Sequence, residues 1–122
     1  MKTEQREKIE KHGRQLQAIF PAVADLDPVE LCKKLRRIEN RTNRAACEAC
    51  NTQKGADEWE YWHDKAMADL DVLLILGDIP VFINGDPRGY SLKINDDWMR
   101  DHPEIRLHQD WGGYGIIAPE IE

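Results

Sequence analysis

Two groups of residues in this 122-residue chain have the types that chemistry needs. Cys47 and Cys50, followed by twelve residues and His63, open like a Cys2His2 zinc site. Zinc takes four thiolate or imidazole donors in a tetrahedron. No histidine lies three to five residues beyond His63, so a fourth ligand would have to be Asp64, Cys32, His102 or His108, brought in by the fold. With that ligand missing from the local pattern, no metal and no other cofactor is expected. The second group is Asp86, Arg88, His108 and Asp110, an acid, a cation and a base that would converge if two C-terminal hairpins lay side by side. That is the one enzyme-like or ligand-binding constellation the sequence offers. Asp86 is already explained by a turn, Ser91 lacks a nucleophile-elbow context, and no catalytic residue is assigned.

Charge offers a different use. The net charge of −6 is unevenly spread: residues 1–54 carry 12 Lys/Arg against 8 Asp/Glu, residues 55–122 carry 5 against 15. Asp57, Glu58, Glu60 and Asp64 head a carboxylate series continued by Asp69, Asp71 and Asp78. Such a surface can replace phosphates in a basic channel of a partner protein. Lys33, Arg37, Arg41 and Arg44 form a helical stripe, joined by Lys34 and Arg36, which would suit phosphates or an acidic partner. A pI near 5.2 and the lack of a glycine-rich phosphate loop argue against direct nucleic-acid binding. The split also leaves a homodimer or head-to-tail self-association open.

The totals describe one domain, residues 1–122, with 41% hydrophobic and 33% charged residues. The longest apolar run, Val72–Leu76, is far below the ~20 residues of a membrane span. A charged N-terminus without a signal core and three cysteines, an odd number, point to reduced thiols in a cytoplasm.

The elements that must position these residues begin with a helix from Thr3 to about Ile19, stopped by Pro21. Gly13 inside it marks a bend or a close contact. Asp27-Pro28-Val29-Glu30 starts a second helix with an N-cap, a proline at N1 and a capping-box Glu, and Glu30 with Lys34 makes an i,i+4 pair. Its seam of Leu31, Leu35, Ile38, Thr42, Ala45 and Ala49 runs to about Asn51. A third helix, about Asp57 to Leu76, turns Trp59, Trp62, Ala66, Leu70 and Leu73 inward and ends at Gly77. Antiparallel packing of these two helices is expected, with Trp59, Tyr61 and Trp62 filling space beside small residues.

Two strands, Pro80–Asn84 and Tyr90–Ile94, then flank the turn Asp86-Pro87-Arg88-Gly89. A three-residue loop with a bulge would put Phe82, Tyr90, Leu92 and Ile94 on one face; a two-residue loop would set Ile83 opposite Leu92. A short helical turn, Asp97–Asp101, is capped by Asn95 or Asp96. Strands at Ile105–Trp111 and Ile116–Ile121 close on the reversal Gly112-Gly113-Tyr114-Gly115. The fold class is α+β: N-terminal helices with a long antiparallel helical hairpin, then a small antiparallel sheet of about four strands with a short helical turn.

The segments PVFINGDPRGYSLKI and DWGGYGIIAPEI, with LCKKLRRIENRTNRAACEACN upstream, resemble a family of small uncharacterised bacteriophage and prophage proteins. The resemblance runs from Leu31 to the C-terminus and carries no reaction, cofactor or functional residue. What it implies is context: a small acidic protein acting in a host bacterial cell on a host protein, for example as an antidefence (anti-CRISPR-like) inhibitor of a nucleic-acid-processing complex.

Overall fold

The computed structural model describes residues 2–49, 55–86, 89–110 and 113–118. Side chains at 42, 45–49, 55–59, 62, 84–86, 89, 90 and 110 lie outside that description. The fold is α+β, four α-helices and an antiparallel sheet among the described residues.

Helix α1 spans Thr3–Ile19, followed by a 3-10 turn at Pro21–Val23. The Gln17 amide donates to the carbonyls of Val23 (3.1 Å) and Leu26 (2.6 Å), tying down the connection to the next helix. Helix α2, Pro28–Ala49, starts where the sequence signals place it. Asp27 Oδ2 accepts from the Glu30 N–H at 3.0 Å, filling one of the orphan donors of the first turn. Glu30 pairs with Lys33 at 3.5 Å rather than with Lys34, because i,i+3 neighbours are as close on a helix as i,i+4 ones. Gly13 is a close contact: a Cβ there would lie 2.7 Å from Pro28 Cβ and 2.8 Å from the Pro28 carbonyl carbon. The missing side chain lets α1 cross the start of α2.

Helix α3 spans Gly55–Leu74 and makes the most extensive helix contact, with α2. The Arg41–Asp69 ion pair and the meeting of Ile38 with Leu73 around one hollow give the antiparallel sense. The inward stripe differs from expectation at its end. Ala66, Leu70 and Leu74 are buried, whereas Leu73 is only half-buried. Leu74 is four residues beyond Leu70, so it continues the core row one full turn on. The helix stops two residues before the expected end, and Ile75, not Gly77, takes the first left-handed position (φ 50°). Asp71 supports that end twice: its carbonyl accepts from Ile75 at 2.8 Å and its Oδ1 accepts from the Leu76 N–H at 3.1 Å. Among the expected aromatic fillers, Tyr61 is exposed (59%) and fills no gap; Trp59 and Trp62 lie outside the described side chains.

Strands β1 (Val81–Asp86) and β2 (Gly89–Ile94) pair with Ile83 opposite Leu92 and Asp86 opposite Gly89. The bulged three-residue register is therefore wrong. The two-residue loop gathers Val81, Ile83, Leu92 and Ile94 on one face, and a one-residue slip would send that apolar set to opposite sides. Val81, Leu92 and Ile94 are accordingly buried. Helix α4, Asp96–Arg100, follows, with Asn95 Oδ1 accepting from the Asp97 N–H at 2.8 Å.

Strands β3 (Gln109–Asp110) and β4 (Gly113–Gly115) complete the order β1-β2-β4-β3. Of the expected strand Ile105–Trp111, residues 105–108 are not in a strand, and β4 falls on the expected reversal Gly112–Gly115 instead of on Ile116–Ile121, whose described residues 116–118 are not in a strand. At Gly115 the cause is space, since a Cβ would run into the His108 ring, 2.6 Å from its Cε1; at Gly113 it is conformation, a φ of 143° that favours glycine. Beyond β4, Ile116 still donates to the Leu92 carbonyl at 3.0 Å, although residues 116–118 are not in a strand. The buried cluster joins Leu16 and Phe20 of α1, Leu31 and Leu35 of α2, Leu70 and Leu74 of α3, Leu92 and Ile94 of β2, and Ile116.

Candidate interaction surface

The helical hairpin turns the charge split of the sequence into two outward faces. On α2, Lys33, Lys34, Arg37, Arg41 and Arg44 are all exposed. Arg36 leaves the stripe: it is half-buried and donates to the Ala118 carbonyl at 2.6 Å. Between α2 and α3 lies an open hollow of about 490 Å³, lined by Lys34, Arg37, Ile38, Arg41, Asp69 and Leu73. Asp69 is turned toward Arg41 in it, and so is lost to the acidic surface.

On α3, Glu60, Asp64 and Asp71 are exposed along one side of the outward face. At 100° per residue, Tyr61, Ala68 and Val72 run beside them, opposite the buried Ala66, Leu70 and Leu74. These three are exposed too, Val72 at 82%. Asp57 and Glu58 belong to the first turn of the same helix, with side chains outside the description. His63 is half-buried, 3.4 Å from Asp64. The carboxylates are legible in the sequence; the apolar row beside them is less so. A signal was present. The run Val72–Leu76 is apolar at five consecutive positions, and a helix end cannot turn five consecutive residues to one face.

The second constellation is not brought together. The two hairpins do lie side by side through β2 and β4, but their reactive ends point opposite ways. His108 is aligned with Gly115, Lys93 and Phe82 in turn. Asp86 is four residues further along β1, beyond three strand spacings, which separates its backbone from His108 by roughly 20 Å. Asp110 pairs with Gly113 past the other end of β2. Arg88 lies outside the described residues.

His108 instead packs against His12 of α1, ring centroids 5.1 Å apart. His12 is buried, and its Nε2–H donates to the Ile116 carbonyl at 2.7 Å. Lys93, also buried, lies in the same row as Gly115 and His108. Burial pushes the His12 pKa below the ordinary imidazole value, the hydrogen bond to Ile116 opposing it in part. The unfolded chain then binds a proton that the folded chain refuses. This stability is fully present above the unfolded pKa near 6.5 and is lost as pH falls through the folded value. Thermal melts across that range should show a midpoint falling below about pH 6.5, and His12→Gln should flatten the fall. An equal acid sensitivity in the two proteins would remove His12 as its source.

Cys47 and Cys50 lie outside the described side chains. Among the described residues no cluster of three or more metal-ligating groups occurs. Cys32 is buried, bonds to the Ile9 carbonyl, and has its thiol pushed up to about 11 by burial. No helix among the described residues is long and apolar enough to cross a membrane. No protein-family model, curated protein or solved structure matches the chain.

Proposed function

We propose that this chain is a non-enzymatic protein-interaction module, a phage-encoded modulator of a host protein in the bacterial cytoplasm, working through the acidic outward face of α3. The observation that carries this reading is the exposed row of Glu60, Asp64 and Asp71 on α3, next to an α2 whose exposed face is basic. Segregated charge of this kind steers a partner of opposite sign and selects the approaching side. Carboxylates spaced along a helix can stand where phosphates would sit in a basic nucleic-acid channel. An antidefence inhibitor that blocks such a channel is the form of modulation this surface suits.

The 490 Å³ hollow beside α2 supports a second reading, an anionic partner held by Lys34 and Arg37. Charge reversal separates the two. With a captured partner, reversal at Glu60, Asp64 and Asp71 should slow association about tenfold or more at low salt and leave dissociation nearly unchanged, because rim charges act mainly on the on-rate. The difference should shrink as salt shortens the screening length from ~10 Å at 0.1 M to ~3 Å at 1 M. Reversal at Lys33, Arg37 and Arg44 should matter little. Loss of binding in the α2 variant with retention in the α3 variant would replace the first reading by the second.

A further inference from the structure

The outward face of α3 carries more than charge. Tyr61 (59% exposed), Val72 (82%) and Ile75 (68%) are the large hydrophobic residues left exposed among those described. On α3, Tyr61, Ala68 and Val72 fall at spacings of 7 and 4, the a/d repeat of a helix seam, and Ile75 stands one residue past the helix end. None of them serves the core, which is built from Ala66, Leu70 and Leu74 on the opposite side. Ile75 adds an independent observation. It is the sole non-glycine residue at positive φ among those described (φ 50°). A β-branched side chain is poorly tolerated there, whereas Gly or Asn takes that conformation readily. The fold thus holds an isoleucine in a strained conformation without burying it, which is the pattern expected of a residue used for contact.

We propose that this face docks an amphipathic basic α-helix of a partner protein, with Val72 and Ile75 as its apolar anchors. The inference rests on the reading of α3 as the interaction surface and names the partner's chemistry. A narrow seam at heptad spacing fits a facing helix. Over residues 61–72 it is roughly 17 Å long, about three turns. Glu60, Asp64 and Asp71 line one side of the seam, where a partner helix would place Lys or Arg, and exposed Lys65 stands on the other side. A second copy of the same face is disfavoured by its own carboxylates, and the cations of α2 have beside them only the half-buried Ile38 and Leu73.

The test uses the full chain and a designed 16-residue helical peptide with Leu at the seam and Lys beside it. A Glu-for-Lys analogue and a scrambled peptide of the same Leu/Lys composition serve as controls, with binding read by fluorescence anisotropy. The Leu/Lys helix is expected to bind at least about tenfold more tightly than either control. Val72→Ser and Ile75→Asn should each weaken it about tenfold. Ile75→Asn should also leave the melting midpoint unchanged or raised, since it relieves the left-handed strain, so lost binding could not be ascribed to unfolding. Equal binding of the scrambled peptide, or full binding by both variants, overturns the proposal. So does a dimer in sedimentation that Val72→Ser dissociates, which would seat a second copy on this face. If the peptide fails while capture of a natural partner is still abolished by α3 charge reversal, the interaction surface stands and the basic-helix partner falls. If that reversal leaves capture intact, the surface itself falls.

Discussion

Leu35→Ala is expected to lower the unfolding free energy by about 2–5 kcal/mol, as large-to-small changes do at sites that cannot collapse. Leu35 has no exposed surface and belongs to the cluster that α1, α2, α3 and β2 share. Two terms add. The lost methyl and methylene groups forfeit their transfer energy, and the surrounding side chains lose contacts across the cavity. Against a total stability of about 5–15 kcal/mol, the loss should be plain in urea unfolding as a lower midpoint at an unchanged slope. Val72→Ala supplies the contrast. At 82% exposure it should move stability by no more than about 0.5 kcal/mol. A Leu35→Ala midpoint equal to wild type would mean that α2 does not pack through this seam.

Gly13→Ala is the second large effect, and its sign opposes helix propensity. In an exposed helix interior the change would stabilise by ~1 kcal/mol. Here the new Cβ would meet Pro28 Cβ at 2.7 Å and the Pro28 carbonyl carbon at 2.8 Å. Pro28 is a poor partner for relaxation. Its φ is locked by its ring, and it sits between the Asp27 cap and the first turn of α2. Relief must come from opening the α1–α2 crossing, so a net loss of about 1–3 kcal/mol is expected, in the range of overpacked cores. Chemical denaturation of Gly13→Ala beside wild type checks it, and a rise in stability would show that the helices part at little cost.

These two positions show what a sequence makes visible. Gly13 stands out because a glycine inside an apolar-periodic helix needs a reason, but the reason, Pro28, is a tertiary neighbour. Local signals carried far. Pro21, the Asp27-Pro28 start and Asn95 act through residues one to four places away, and the structure has them in those roles. The hairpin register did not follow from its turn. Asp86, Pro87, Arg88 and Gly89 suit more than one loop length, and the apolar set at Val81, Ile83, Leu92 and Ile94 agrees with the register that the structure adopts. A glycine-rich stretch reads as a reversal because glycine is permissive, and at Gly113 that permissiveness is used, at φ 143° within β4. At Gly115 the glycine makes room for the His108 ring.

The surface divides in the same way. Charge is legible at a distance, since helical spacing alone puts Glu60 and Asp64 on one side of α3. The loss of Asp69 to Arg41 and of Arg36 to the Ala118 carbonyl needed the fold. Ile75 could not be read at all. Its left-handed conformation depends on where α3 stops, and Asp71 helps to set that point through its carbonyl and its carboxylate.

Binding of a protein through the outward face of α3, as proposed, is read most directly by quantitative mass spectrometry of captures from bacterial lysate. Three baits would be compared: wild type, a variant reversed at Glu60, Asp64 and Asp71, and a variant reversed at Lys33, Arg37 and Arg44. One protein should be enriched by wild type and by the α2 variant and lost from the α3 variant. Enrichment that survives α3 reversal, or that vanishes only on α2 reversal, would contradict it.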